Sequence, residues 1–175
     1  NGSATYGEDN LFLNDSWQTT VMSYFSQAEN TSIDASFAFL LTPMLGDIAA
    51  IQQLYGNGAT TRTGNSTYGF NSNAGQKFNF STMLSARSDY AFTLVDDGGI
   101  DTLDNSLSNY ATRVDLTPGS TSDVLGLVGN MSIDFTSWIE NYLGGNASDH
   151  VTGNSLANSL SGGAGNDHLD GGLGN

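Results

Sequence analysis

The sequence contains no cysteine, so no disulfide braces the fold and no thiolate serves as a nucleophile or metal ligand. Basic side chains are nearly as scarce: 4 Lys and Arg stand against 18 Asp and Glu, a formal net charge of −14. Such a field repels nucleic acid and anionic membrane and attracts cations, with calcium the natural partner. The longest apolar run, Phe37 to Leu41, is far short of the roughly 20 residues of a membrane span. Nor does the chain open on a charged-then-apolar leader. It lacks an initiating Met and ends inside a repeat at Gly172-Leu173-Gly174-Asn175, which predicts a piece of a longer protein.

What is present points to a folded, strand-rich chain. Hydrophobic residues make up 38%, with nine Phe, seven Tyr and two Trp, too much apolar material for wholesale disorder despite the charge. The 22 glycines, set among abundant Asn, Ser, Thr and Asp, are the vocabulary of turns between short strands, so the expected class is mainly β. At 175 residues the chain fits one domain or two modest lobes.

Residues 1 to 36 read as irregular and polar, interrupted by Val21-Met22-Ser23-Tyr24-Phe25, expected to be a buried turn. One helix is predicted: Thr42 caps, Pro43 takes the first helical position, Met44, Ile48, Ile51 and Tyr55 recur at helical spacing, and Gly56 ends the run. Beyond Gly56 come short apolar pieces, such as Tyr90 to Val95 and Arg113 to Leu116, separated by Gly/Asn/Asp turns. The boundary of a strand-rich domain is placed near Asn57.

From Gly144 a unit of nine residues repeats. Glycine stands at 144, 153, 162 and 171, with Val151, Leu160 and Leu169 in phase. This resembles the calcium-binding parallel β-roll repeat of RTX proteins, in which six residues form a glycine-rich loop and three a short strand with an inward aliphatic centre. Two repeats make one turn, so loops on one edge lie 18 residues apart. Calcium is then expected between the first and third loops, held by the Asp149 and Asp167 carboxylates and by carbonyls of Gly145, Ala147, Gly162 and Ala164. The second loop, with Asn158 in place of the carboxylate and Leu156 in place of a glycine, predicts a weaker site. His150 and His168, at equivalent positions on one edge, read as exposed neighbours, with a metal pair as the alternative.

Several segments together resemble the serralysin-type metalloproteases, a family of metzincins. Val21-Met22-Ser23-Tyr24 resembles the family's Met-turn, and Asp47 to Gly56 resembles the helix that closes its catalytic lobe. Arg62-Thr63-Gly64, Tyr68 to Asn73, Asp96-Asp97-Gly98-Gly99-Ile100-Asp101 and Ile139-Glu140-Asn141 follow in the family's order, and then the repeats. The resemblance implies residues 1–56 as the helical tail of the catalytic lobe and residues 57–175 as a calcium-binding β-roll domain with sandwich-like strands.

It also implies roles. Met22 would lie beneath a catalytic zinc, and Tyr24 would be an additional zinc ligand. Carbonyls of Arg62, Gly64 and Ser66 would meet Asp96, Gly98, Gly99 and Asp101 around one calcium. The Trp138 carbonyl and the Glu140 side chain would serve another. Trp138 and Ala147 depart from the family pattern, and the Ala147 loop is expected to bind less tightly if its φ must be positive. The family's His-Glu-x-x-His-x-x-Gly-x-x-His run is absent, so the chain is expected to be inactive alone and its parent to be a secreted, extracellular zinc endopeptidase acting on protein or peptide substrates, with several calcium ions and one zinc. A monomer is expected. A non-enzymatic RTX module of a secreted toxin or adhesin is the alternative.

Overall fold

The computed structural model describes residues 4–57 and 60–174. In chain order the elements are β1 (Phe39–Leu40), α1 (Leu45–Tyr55), β2 (Thr67–Gly69), a 3-10 turn (Gln76–Phe78), α2 (Phe80–Ala86) and β3 (Tyr90–Leu94). Then follow β4 (Thr102–Asp104), β5 (Arg113–Asp115), β6 (Thr121–Ser122) and β7 (Met131–Ile133). The repeat region adds β8 (Asn141–Leu143), β9 (His150–Thr152), β10 (Ser159–Ser161) and β11 (His168–Asp170). The protein is mainly β, as the turn-rich composition predicts, and its strands are almost all parallel.

Two sheets form the roll. One runs β10-β8-β4-β2 and the other β11-β9-β5, every pair parallel. Three-residue strands follow from the pattern, because only the middle residue of each points inward. Tyr68, Leu103, Tyr142 and Leu160 are register partners in the first sheet, and Val114, Val151 and Leu169 in the second. Tyr68, Leu103, Tyr142 and Val151 are completely buried. Leu160 and Leu169, on the last strands, are progressively more open.

A third sheet, β1-β3-β7-β6, has one antiparallel pair, β6 with β7. Its inward face meets α2 and the 3-10 turn through edge-on aromatics: Phe92 lies 6.3 Å from Phe78 and 6.1 Å from Phe80. Such contacts add about 0.5–1.5 kcal/mol each beyond area burial. The core that results is continuous from Tyr68 to Val151.

The predicted helix exists but begins later. Met44, not Thr42, stands at the N-cap, because the Asp47 carboxylate at the third helical position accepts the Met44 N–H at 2.8 Å. Thr42 instead accepts the Thr93 N–H at 2.8 Å, joining the segment to β3. The apolar face expected of this helix is not packed: no residue within it is buried, and Ile51, Leu54 and Tyr55 are exposed. The boundary expected near Asn57 adjoins Gly58 and Ala59, which lie outside the described residues.

Candidate cation-binding edges and the tyrosine turn

The parallel register brings residues distant in sequence into two columns. Ser66, Asp101, Glu140 and Asn158 immediately precede the mutually paired strands β2, β4, β8 and β10, and so stack along one edge. The Ser66 N–H donates to Asp101 Oδ1 at 2.6 Å, and the Asp101 N–H to Glu140 Oε2 at 2.7 Å. Asn158 ends the column by donating to the Glu140 carbonyl at 2.9 Å. Each acid thus reaches across to the turn before it.

The same edge leaves a charge uncompensated. Asp101 is 1% exposed, and its Oδ2 is buried with no hydrogen-bond partner. Burial, offset by the Ser66 N–H and aggravated by the carboxylates of Asp96 and Glu140, pushes the Asp101 carboxyl up to about 6. Asp96 is equally buried, accepting the Tyr68 hydroxyl at 2.5 Å and the Gly98 N–H at 3.0 Å. Arg62 lies 4.0 Å from Asp96 and donates to the Tyr68 oxygen at 2.8 Å and to the Val95 carbonyl. Burial first, and then the bond to Asp96, raises the Tyr68 phenol well above its ordinary range. The loops here touch backbone to backbone: Gly99, at φ +134°, leaves only 2.7 Å between an added Cβ and the Gly64 carbonyl carbon. Trp138, two residues before Glu140, has an exposed side chain.

On the second edge Thr112, Asp149 and Asp167 precede β5, β9 and β11 and form the other column. The Asp149 N–H donates to Asp167 Oδ1 at 2.9 Å, across the 18-residue spacing. Asp149 itself turns toward the earlier loop, accepting the Thr112 N–H and hydroxyl at 3.1 and 2.9 Å and the Tyr142 hydroxyl at 3.0 Å. Burial raises the Tyr142 phenol as it does Tyr68. The loops stack through Asn146 N–H to the Ser108 carbonyl, 2.9 Å, and Ala164 N–H to the Gly145 carbonyl, 2.8 Å.

Ala147 is not strained, contrary to the concern raised by its departure from glycine. Among the described residues the non-glycine positions with positive φ are Arg62, Asn71 and Leu125, whereas the partner position one turn on, Gly165, has φ +122°. Successive loops therefore use different backbone conformations, and Ala147 sits in the permissive one. Gly162, beside Asp167, has no room for a Cβ, which would fall 2.2 Å from the carboxylate.

The donor set on both edges is oxygen: carboxylates, and loop backbone drawn close by glycine. An unpaired buried carboxylate oxygen beside such loops suits a hard cation. Among the described residues no three His, Cys, Asp or Glu side chains converge as a metal cluster, so backbone carbonyls would have to complete any coordination.

Sequence reasoning missed Tyr68, Thr112 and Tyr142 as partners of the acids. Tyr142 had a signal, because it precedes Val151, Leu160 and Leu169 in the same nine-residue phase.

The Val21–Phe25 segment departs from expectation. Only Phe25 is buried, while Met22 is 79% and Tyr24 88% exposed. The turn is held from beneath, since Trp17 donates from its backbone to the Phe25 carbonyl at 2.9 Å and from its indole to the Ser23 carbonyl at 3.0 Å. Asp47 of α1 accepts the Thr20 hydroxyl at 2.5 Å and the Val21 N–H at 2.9 Å. Turn and helix form one unit that presents Met22 and Tyr24 outward.

The family model described as peptidase M10 serralysin C terminal matches residues 57–170. The chain belongs to this family. It is 44% identical to Serralysin of Photorhabdus luminescens over 158 residues, which are 90% of this chain and 32% of that protein. Serralysin C of Dickeya chrysanthemi is 46% identical over 148 residues, 85% of this chain and 30% of its own length. Metallopeptidase AprA of Pseudomonas marginalis is 43% identical over 161 residues, 89% and 31%. The chain spans about a third of the length of these serralysin relatives. Among the described residues no helix is long and apolar enough to cross a membrane.

Proposed function

We propose that this chain is the C-terminal part of a secreted, zinc-dependent metalloendopeptidase, in which a β-roll folds around several calcium ions. Residues 1–56 would be the tail of the catalytic lobe and residues 57–175 the roll. The observation that carries the calcium reading is the buried, unpaired Oδ2 of Asp101. A cation there would compensate Asp101 and Asp96, with carbonyls of Arg62, Gly64 and Ser66 and the Gly98-Gly99 loop completing its shell. Glu140 and the Trp138 carbonyl would serve a neighbouring ion where the first repeat begins. On the second edge Asp149 and Asp167 would share an ion with carbonyls of Gly145, Ala147, Gly162 and Ala164.

The enzymatic part rests on the relatives, which bear the names serralysin and metallopeptidase. In the complete protein zinc supplies an activated water for peptide hydrolysis. Tyr24, exposed on the turn, would be an additional ligand of that zinc, and Met22 would lie beneath it. This chain alone does not make the site, because it has only two histidines and both lie in the repeats. Its substrates would be extracellular proteins or peptides, and it would act as a monomer.

The calcium reading is tested by calorimetric titration of the chain: Asp101→Ala should lower the number of calcium ions bound by at least one. An unchanged stoichiometry would remove the site. In the complete protein Tyr24→Phe should slow casein hydrolysis while zinc content is retained. Equal turnover would take Tyr24 out of the catalytic centre.

A further inference from the structure

Outside the loops, the outer face of β9 and β11 carries the only two histidines of the chain side by side. His150 and His168 are register partners on adjacent parallel strands, both exposed, because the residues that follow them, Val151 and Leu169, take the inward direction. Their rings stack at 4.6 Å between centroids with planes 30° apart. Neither imidazole makes a hydrogen bond among the described residues, so their nitrogen lone pairs are available. Arg113, the next residue in the same row on β5, is drawn away by its two hydrogen bonds to Asp123, at 2.9 and 2.8 Å. The neighbouring row of the face holds Asp115, Thr152 and Asp170, two of them acidic.

We propose that His150 and His168 form a two-imidazole site for a borderline divalent transition cation of the nickel, copper and zinc class. Such ions bind imidazole nitrogen, whereas calcium takes oxygen ligands, so this site is chemically separate from the loop edges. An ion about 2.1 Å from each of two nitrogens needs them roughly 3–4 Å apart. Rotation of two exposed rings about their side-chain bonds supplies that spacing from the observed stack. Water fills the remaining positions, which leaves the ion exchangeable. Because the two rings belong to successive turns, the ion ties β9 to β11 at the last turns described.

Nickel is a suitable probe. The full chain, saturated with calcium, is titrated with nickel chloride while histidine ring proton signals are followed by NMR and uptake by calorimetry. One nickel per chain is expected, broadening both histidine rings together before any other side chain. His150→Gln and His168→Gln should each weaken nickel binding by at least about tenfold, with calcium-induced ordering unchanged. With diamagnetic zinc as a second probe, shifts of the signals of one ring alone would overturn the shared site. So would nickel uptake indifferent to both substitutions, which would place the metal on the acidic surface. The ring signals of the unaltered chain decide the question even if a variant fails to order.

Discussion

The two edges of the roll use one device and finish it differently. On both, an acidic side chain reaches across one turn to the backbone N–H of the equivalent residue: Asp101 to Ser66 and Glu140 to Asp101 on the first, Asp167 to Asp149 on the second. The second edge then caps Asp149 with Thr112 and Tyr142, so both of its oxygens have donors. The first edge gives its tyrosine to Asp96 and leaves Asp101 Oδ2 with none. A buried carboxylate without a donor is costly unless it is neutralised or meets a cation. The lesson is that hydrogen bonds can close one edge in the absence of metal, while the other needs a proton or an ion.

The largest expected effect separates a repeat loop with a carboxylate from one without. Asp167→Ala removes the acid that joins two turns, whereas Asn158→Ala removes a neutral amide from the end of the first column. Followed by circular dichroism during calcium titration, the first should raise the half-saturating calcium concentration more than about tenfold and the second much less. Equal shifts would show that the carboxylate column is wrongly assigned.

Backbone stacking should respond almost as strongly, and on both edges alike. Gly165→Ala puts a Cβ 2.7 Å from the Ala147 carbonyl at φ +122°, and Gly99→Ala meets Gly64 in the same way. Each should cost about 2–3 kcal/mol in denaturant unfolding. Gly64→Ala, with nothing within 4 Å of the added carbon, should be close to neutral. A tolerant Gly165 would break the tight stacking.

The pH dependence should distinguish the edges. With the Asp101 carboxyl raised to about 6 and an unfolded value near 3.9, the folded calcium-free chain binds the proton more tightly than the unfolded one. The stabilisation is full below the unfolded value and is lost as pH rises through about 6, on the order of 3 kcal/mol. Unfolding in chelator from pH 4 to 7 should show this slope in the parent, and Asp101→Asn should remove it. A slope that survives the substitution would assign the effect elsewhere.

The smallest expected effect belongs to the tyrosines. Tyr142→Phe withdraws a donor from buried Asp149 and should cost about 1–2 kcal/mol of calcium-free stability. Tyr68→Phe should cost less, because Arg62 remains 4.0 Å from Asp96. Thermal unfolding of the two variants side by side ranks them, and a reversed order would show that Arg62 does not stand in for the phenol.

The repeats were the most legible part of the chain. Nine-residue glycine spacing with one aliphatic residue in phase determines a three-residue strand and an 18-residue return, and β9, β10 and β11 have that length and β9 with β11 that register. The helix was legible as an element but not at its start, because Asp47 captures the Met44 N–H and so competes with Thr42 for the cap. The turn at Met22 and Tyr24 read as buried from its apolar composition, whereas its support comes from Trp17 and Asp47 beneath it and leaves both side chains outside.

By itself the sequence determined the mainly β class, the roll of the last repeats, the acidic surface and the pairing of Asp149 with Asp167, since all of these depend on composition or on short periodic spacing. Only the tertiary structure decided which residues stand before and beside those acids. Ser66, Asp101 and Glu140 share a column although 35 and 39 residues separate them, because irregular loops of unequal length return the chain to the same edge. Spacing carries no information once loop lengths vary. Register does, and register is set by which strand centres bury together: Tyr68 with Leu103 and Tyr142 on one sheet, Val114 with Val151 on the other.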